Sequence, residues 1–139
     1  MFLTRLIYAS TITEALADAP VDSILESARS NNELNDVTGI LYFNRKYFLQ
    51  CLEGSRTAVN KTYQTILQDN RHSDIVILGY EEISEREFSD WKMGYIPSSS
   101  ASKPLNIKFS GSSDFVPYQM SGESAYKMML ELKGSLPTI

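Results

Sequence analysis

The chain has 139 residues, of which 42% are hydrophobic and 22% are charged, so it has the composition of a single globular domain. A formal net charge of −4 argues against nucleic-acid binding by bulk electrostatics, and no apolar stretch approaches the ~20 residues of a membrane span. One cysteine excludes an internal disulfide, and one cysteine with one histidine argues against a zinc site.

The first half of the chain predicts a strand, a helix and a β-hairpin. Residues 3–9 form the strand, and the helix after it has apolar residues at helical spacing: Val21, Ile24, Leu25 and Ala28. Asn31 and Asn32 fall in the last turn of this helix. Residues 38–43 and 47–52 alternate as two further strands, and the polar residues 44–46 between them predict a hairpin turn.

The second half predicts another helix and two more strands. The helix begins after residues 53–55, ends at the polar residues 69–72, and has an apolar stripe of Val59, Tyr63, Ile66 and Leu67. Residues 75–83 form a fourth strand and residues 91–96 a fifth. This order predicts an α+β, ferredoxin-like βαββαβ fold with a fifth strand, in which two helices pack on one face of a mixed sheet.

The C-terminal part predicts a separate extension. Residues 1–97 make one domain, and residues 98–139 make a linker followed by a helical extension. Residues 97–104 are a flexible connector by composition. Beyond it Ser121 caps an amphipathic helix whose apolar face is Ala125, Met128, Met129 and Leu132. This helix either covers a face of the sheet or acts as a mobile output element.

Gln50 is the most informative residue, because it lies in an apolar run where an unpaired amide costs roughly 2–7 kcal/mol to bury. Strand alternation puts Phe48, Gln50 and Leu52 on one face. A Gln on an edge strand could instead face water. The predicted fold makes the first and third strands neighbours, so the Tyr8 phenol and the Gln50 amide can meet.

The same sheet face gathers further polar groups. Asn31 and Asn32 on the first helix, and Arg71 and His72 after the second, flank it, with aliphatic walls from Ile24 and Ile66. Such a groove suits a flat heteroaromatic ligand, whose carbonyl and imide edge the asparagine amides could bind. A flavin fits this description, and so does a purine or a pterin.

At these residues the sequence resembles the BLUF domains, blue-light sensors that use flavin adenine dinucleotide (FAD). Six segments match in order and spacing, from the first strand to the fifth. They are Arg5–Ser10, Asn31–Asn32, Thr38–Tyr42, Phe48–Gly54, Asp69-x-Arg71-His72 and Phe88-x-x-Trp91-x-Met93. The sequence departs from the family pattern at Ala28, where relatives have a serine, and at Cys51, where an aliphatic residue is commoner.

The resemblance implies a photoswitch built on Tyr8 and Gln50. Tyr8 would be the electron and proton donor to the excited flavin. Gln50 would bridge Tyr8 and the flavin and would rearrange its hydrogen bonds after excitation. Trp91 and Met93 on the fifth strand would relay this change to the output surface.

The resemblance also implies a cofactor site. Asn32 would bind the O4/N3 edge of the flavin, Asn31 a neighbouring polar part, and Arg71 the O2 side. His72 and Asp69 would lie near the ribityl or phosphate portion. FAD is the expected cofactor, with flavin mononucleotide or riboflavin as alternatives.

We expect the protein to be cytoplasmic, since the N-terminus lacks the pattern of a secretory signal. The resemblance implies a sensor without enzyme activity. Its resemblance to short, stand-alone family members implies a separate signalling partner, either a response-regulator-like protein or a transcription regulator, and self-association. Direct contact with nucleic acid or a membrane is not expected.

Two other functions stay open on the sequence alone. One is a small acyl-phosphate hydrolase on the same fold, which would use Asn31 and Arg71. The other is a cofactor-free interaction module, in which Tyr8 and Gln50 only pack. Taken singly, Tyr8 is typical of a core tyrosine, and Asn31–Asn32 of a helix C-terminus. Trp91 and Met93 are typical of core packing, Cys51 of a buried inert thiol, and His72 of a surface or capping residue.

Overall fold

A computed structural model describes residues 2–13, 22–89, 94–97 and 103–134 of the chain. Its strands are β1 (Leu3–Ile12), β2 (Thr38–Phe43), β3 (Tyr47–Ser55), β4 (His72–Ile83) and β5 (Gly94–Pro97). Its helices are α1 (Asp22–Asn35), α2 (Arg56–Leu67), α3 (Lys103–Ser110) and α4 (Gly122–Lys133), and a short 3-10 turn covers Pro117–Gln119.

The strands form one sheet in the order β4-β1-β3-β2-β5. The pairs β1–β3, β1–β4 and β2–β3 are antiparallel, whereas β2 and β5 are parallel. The first four strands therefore have the ferredoxin-like order, and β5 extends the sheet at the β2 edge. The predicted fold class is confirmed.

The β2–β3 hairpin forms because its turn residues satisfy their own backbone. The Asn44 side-chain oxygen accepts hydrogen bonds from the backbone N–H groups of Lys46 and Tyr47, both at 2.8 Å. Beyond the turn Phe43 pairs with Phe48. A side chain at Gly39 would lie 2.0 Å from the Cys51 carbonyl oxygen, so only glycine permits this strand approach.

Helices α1 and α2 pack on one face of the sheet, as predicted. This face holds a cluster of buried residues: Leu6, Tyr8, Leu25, Val37, Leu41, Phe48, Leu52 and Val59. Ser55 begins α2 as its N-cap, because its hydroxyl accepts from the Ala58 backbone N–H. Leu67, predicted in the apolar stripe of α2, is 51% exposed, so that part of the prediction is wrong.

Helices α3 and α4 lie against the opposite face. Their cluster includes Ile7, Ile40, Tyr42, Leu49, Cys51, Phe88 and Phe115, together with the predicted apolar face of α4: Ala125, Met128, Met129 and Leu132. The predicted cap is confirmed, since the Ser121 hydroxyl accepts from the Ser124 N–H at 3.0 Å. The apolar face of α4 therefore packs against the sheet, which is the first of the two alternatives predicted for this helix.

Two other boundaries differ from the sequence-based expectation. Lys103 and Pro104, predicted in a connector, begin helix α3, which is tied to β2 by a hydrogen bond from the Tyr42 hydroxyl to Asn106. Pro104 is tolerated because it lies in the first turn of the helix. Strand β4 begins at His72 rather than residue 75, because His72 pairs with Ile12 at the end of β1.

Among the four helices, none in the described part of the chain combines the length and apolarity that a transmembrane segment needs.

Candidate functional site

The centre of the candidate site is a hydrogen bond between β1 and β3. Tyr8 and Gln50 are direct partners in the antiparallel register, and the Tyr8 hydroxyl donates to Gln50 Oε1. Both residues are buried, at 3% and 5% exposure. Because β3 lies between β1 and β2, Gln50 is on a central strand, and the alternative of a water-facing edge residue is wrong.

The Tyr8 ring is held by aromatic neighbours. The rings of Tyr63 and His72 lie 5.9 and 6.2 Å from it, centroid to centroid. Burial raises the pKa of Tyr8 far above its ordinary value, and Tyr63 and Asp69 add to this. Tyr8 therefore stays a neutral phenol and a hydrogen-bond donor at any physiological pH.

A cavity opens beside this pair, between α1, α2 and the sheet. Its volume is about 100 Å³, and it opens to solvent. Its lining residues come from both helices, four strands and the α2–β4 turn: Tyr8, Ser27, Ala28, Asn31, Asn32, Leu41, Phe48, Gln50, Thr62, Thr65, Ile66, Asp69, Arg71 and His72. The structure thus gathers seven of the eight predicted cofactor residues around one space.

The two asparagines of α1 both line the cavity, with different surroundings. Asn32 is buried, at 1% exposure. Asn31 is half-buried, and its amide nitrogen donates to Thr62 on α2 at 3.5 Å while its side-chain oxygen accepts from Asn35 at 3.3 Å. Helix α1 continues to Asn35, so Asn32 lies in its last turn, as predicted, and Asn31 directly precedes that turn.

Arg71 and Asp69 form an ion pair at the cavity wall. The Asp69 carboxylate accepts from Arg71 Nε at 2.9 Å, from Nη2 at 2.6 Å and from the Arg71 backbone N–H at 2.9 Å. The hydrogen bonds from Arg71 hold the pKa of Asp69 below its ordinary value of 3.8, against the opposing effect of burial. Asp69 therefore fixes the guanidinium that faces the cavity.

This ion pair makes stability depend on pH. The pKa of Asp69 is lower in the folded protein than in the unfolded chain. The ion pair therefore contributes fully to the free energy of unfolding above pH 3.8, and this contribution is lost as the pH falls through the folded-state pKa. We expect Asp69→Asn to lose about 1 kcal/mol at pH 7, which lowers the unfolding midpoint by roughly 3 °C. Thermal scans from pH 7 to pH 2 should show the two proteins converging only at acidic pH. A gap that stays constant to pH 2 would contradict this origin.

His72 joins the end of α2 to β1. Its Nε2 lies 2.8 Å from the Ile66 carbonyl oxygen, and its Nδ1 lies 2.9 Å from Ser10 Oγ. A carbonyl oxygen can only accept, so Nε2 carries the proton. His72 is only 6% exposed, so the interpretation as a surface residue is wrong, whereas that as a capping residue is confirmed.

Three predicted residues cannot be placed in the site. Trp91 and Met93, the predicted relay, lie outside the described residues, which resume at Gly94 in β5. Ile24 lies in helix α1, but its side chain is not among the described parts of the structure. Of the two predicted aliphatic walls, the structure therefore places Ile66. Cys51 is fully buried, as predicted, and burial raises the pKa of its thiol.

Several residues of the cavity were missed by the sequence reasoning. Thr62 and Thr65 lie on the same face of α2 as the predicted Ile66, four residues and one residue before it. Ser27 lies four residues before Asn31 on α1. Helical spacing from the predicted site residues could have found them.

Glu53 was also missed. It is fully buried on the opposite face of the sheet, where its carboxylate accepts from Arg5 Nε at 2.9 Å. The signal was a carboxylate placed by alternation on the face of Leu49 and Cys51. Arg5 and Glu53 are direct partners in the β1–β3 register.

The donor set of the cavity fits a flavin. Three amides, from Asn31, Asn32 and Gln50, can each donate and accept, as the carbonyl and imide edge of such a ring requires. The Arg71 guanidinium supplies further donors, and Leu41 and Ile66 belong to its apolar walls. Polar groups of this kind at the edge of an apolar slot are typical of a site for a planar heterocycle.

Comparisons with known proteins agree with this geometry. A family model described as "BLUF: Sensors of blue-light using FAD" matches residues 3–94. The chain is 40% identical over 86 residues to the "Blue light- and temperature-regulated antirepressor BluF" of Escherichia coli (strain K12), a match that covers 62% of this chain and 21% of that protein. The chain spans about a fifth or less of the length of the curated relatives it matches.

Two solved structures resemble the whole arrangement. "BlsA photo-activated state" has a TM-score of 0.84 and 32% identity, with 94% of each chain covered. "BlrB - a BLUF protein, dark state structure" has a TM-score of 0.76 and 26% identity, with 96% of each chain covered. Both matches extend beyond residues 3–94, so the fold similarity reaches the C-terminal helices.

Proposed function

Since this chain belongs to the BLUF family of blue-light sensors that use FAD, we propose that it is a blue-light photoreceptor. Its flavin site is the cavity between α1, α2 and the sheet. The observation that carries this proposal is the hydrogen bond from the Tyr8 hydroxyl to Gln50 Oε1, because it places a switchable amide at the wall of that cavity.

The polar lining holds the flavin in this proposal. Asn32 and Gln50 bind its carbonyl and imide edge, Arg71 donates to its second carbonyl, and Ile66 packs against the ring. When bound, the flavin supplies the absorption of blue light and, once excited, an acceptor for an electron. Asn31 acts mainly through Thr62, to which it donates across the α1–α2 gap at 3.5 Å.

Tyr8 and Gln50 form the switch. In the structure the Gln50 oxygen accepts from the phenol, so its NH₂ group points to the other side. If the two ends of the amide exchange, by rotation or tautomerism, the phenol meets a different partner. The two arrangements differ in hydrogen bonds but not in covalent skeleton or net charge, so a gap of a few kcal/mol between them is physically reasonable.

Asp69 and His72 position other groups in this proposal. Asp69 orients Arg71 through the ion pair described above. His72 anchors the C-terminal end of α2 to Ser10, two residues from Tyr8 on the same sheet face. Trp91 and Met93 remain the predicted relay to the output surface.

The chain acts as a sensor and not as an enzyme in this proposal. Asn31 and Arg71, which an acyl-phosphate hydrolase would need, are bonded to Thr62 and Asp69. The relative BluF is described as an antirepressor, which supports a separate transcription regulator as partner. Self-association and a response-regulator-like partner remain part of the proposal.

A dark-versus-blue-light difference spectrum tests the function. We expect the purified protein to show flavin absorption and a small red shift on illumination that reverses in the dark. Chromatography of the released cofactor distinguishes FAD from flavin mononucleotide and riboflavin. A protein that stays colourless after incubation with FAD, or that binds flavin without any reversible shift, would overturn the proposal.

A further inference from the structure

Strand β4 carries an extra residue beside Tyr8. Along the β1–β4 pair Tyr8 lies opposite Ile77, whereas the preceding residue, Ile7, lies opposite Gly79. Leu78 is therefore the additional residue of a β-bulge, a local irregularity in the edge strand. The bulge is adjacent in the sheet to the residue that donates to Gln50.

The start of helix α4 rests directly on this bulge. A side chain at Gly122, the first residue of α4, would place its Cβ 2.5 Å from the Leu78 carbonyl oxygen and 3.1 Å from Gly79 Cα. No side chain fits there without a shift of the backbone. Helix and strand thus meet backbone to backbone, a contact that only glycine permits.

The rest of α4 covers the reverse side of the same strands. Ala125 and Met129 belong to one buried cluster with Ile7 and Cys51. Ile7 is the neighbour of Tyr8 in β1, and Cys51 the neighbour of Gln50 in β3. Helix α4 therefore shares a buried cluster with the neighbours of both switch residues, and its first turn contacts the bulge.

We propose that the contact of Gly122 with the Leu78–Gly79 bulge is the joint through which the state of the Tyr8–Gln50 pair reaches helix α4. This inference rests on the proposed function. A shift of β1 against β4 changes the bulge, and Gly122 has no side chain that could absorb the change. Movement of the bulge toward the helix collides with it and movement away opens the contact, so either one loosens the first turn of α4.

Hydrogen exchange in the dark and under blue light tests this joint on the flavin-loaded full chain. In the wild-type protein we expect exchange in the first turns of α4, residues 122–128, to become about tenfold faster on illumination. Exchange in α3, residues 103–110, should stay unchanged. The absorption red shift is recorded on the same samples.

Gly122→Ala adds one methyl group at the joint, and two other glycines give matched controls. A Cβ at Gly79 would lie 3.5 Å from Gly122 Cα, and one at Gly134, at the far end of α4, 3.6 Å from the Glu131 carbonyl oxygen, both ordinary contacts. We expect Gly122→Ala to exchange about tenfold faster in α4 already in the dark, with little further effect of light. Alanine is the better helix former, so intrinsic propensity does not explain such a loss.

The outcomes separate this inference from the proposed function. A wild-type protein without a red shift refutes the function. A normal red shift with unchanged exchange in α4 refutes the joint alone, whether or not the Gly122→Ala protein folds. The joint is also refuted if Gly122→Ala behaves like Gly79→Ala and Gly134→Ala in the dark and in the light.

Discussion

Tyr8→Phe is expected to abolish the light-induced red shift while flavin remains bound. The phenolic hydroxyl is the donor to Gln50 Oε1, and the substitution removes it without changing the ring that packs against His72. Without that hydroxyl, the two orientations of the amide no longer differ in their bond to residue 8. The dark-versus-light difference spectrum of the flavin-loaded variant measures the effect.

Tyr63→Phe is the matched control. Tyr63 packs against Tyr8, with ring centroids 5.9 Å apart, but it does not belong to the lining of the cavity. Its variant removes the same atom from a neighbouring ring, so its red shift should persist. Persistence of the shift in Tyr8→Phe would refute the donor role assigned to Tyr8.

Gln50→Ala probes the acceptor side of the same hydrogen bond. It leaves the buried Tyr8 hydroxyl without its acceptor, which costs about 1–3 kcal/mol of stability if no water replaces the amide. We expect this variant to lose the red shift as completely as Tyr8→Phe. If it still switched, the amide would not be the moving part.

Glu53→Ala is expected to cause the largest loss of stability, about 3–5 kcal/mol. The Glu53 side chain is fully buried, and its Oε2 lies 2.8 Å from Arg5 Nη2. Its Oε1 accepts from the backbone N–H groups of Glu87 and Phe88, at 2.9 and 2.7 Å. Its removal leaves the Arg5 charge, which is only 5% exposed, without its buried partner.

Arg5 shows how strongly this pair is coupled. Burial lowers the pKa of Arg5, but the charge of Glu53 and its hydrogen bond outweigh burial and raise that pKa above its ordinary value. Arg5 also contacts Glu81 at 2.9 Å and lies over the Tyr126 ring of α4 at 4.0 Å. Loss of Glu53 therefore affects two strands and the C-terminal helix together.

Denaturant unfolding measures the effect of Glu53→Ala, with Glu82→Ala as the control. Glu82 pairs with Arg56 on the surface, where both side chains are about half exposed, and such pairs contribute 1 kcal/mol or less. We expect a clear drop in the unfolding midpoint for Glu53→Ala and almost none for Glu82→Ala. Equal effects would show that burial of the Arg5–Glu53 pair is not what matters.

The sequence alone predicted the five strands, the helices α1, α2 and α4, and most of the residues that line the cavity, but not helix α3. Period-two alternation predicted that Gln50 shares a face with Phe48 and Leu52, and both lie in the cluster beneath α1 and α2. Helical spacing predicted the buried face of α4. These patterns are local, because each residue's face depends on the positions of its near neighbours along the chain.

Tertiary structure decided which of those residues share a bond. Tyr8 and Gln50 are 42 positions apart, and Arg5 and Glu53 are 48 apart, so their bonds depend on the β1–β3 register. The sequence left open whether His72 is a surface residue or a capping residue, and the folded chain places it between Ser10 and Ile66. The contact at Gly122 depends on a bulge in another element. Strand register and helix docking are collective properties of the folded chain, so no local pattern in the sequence encodes them.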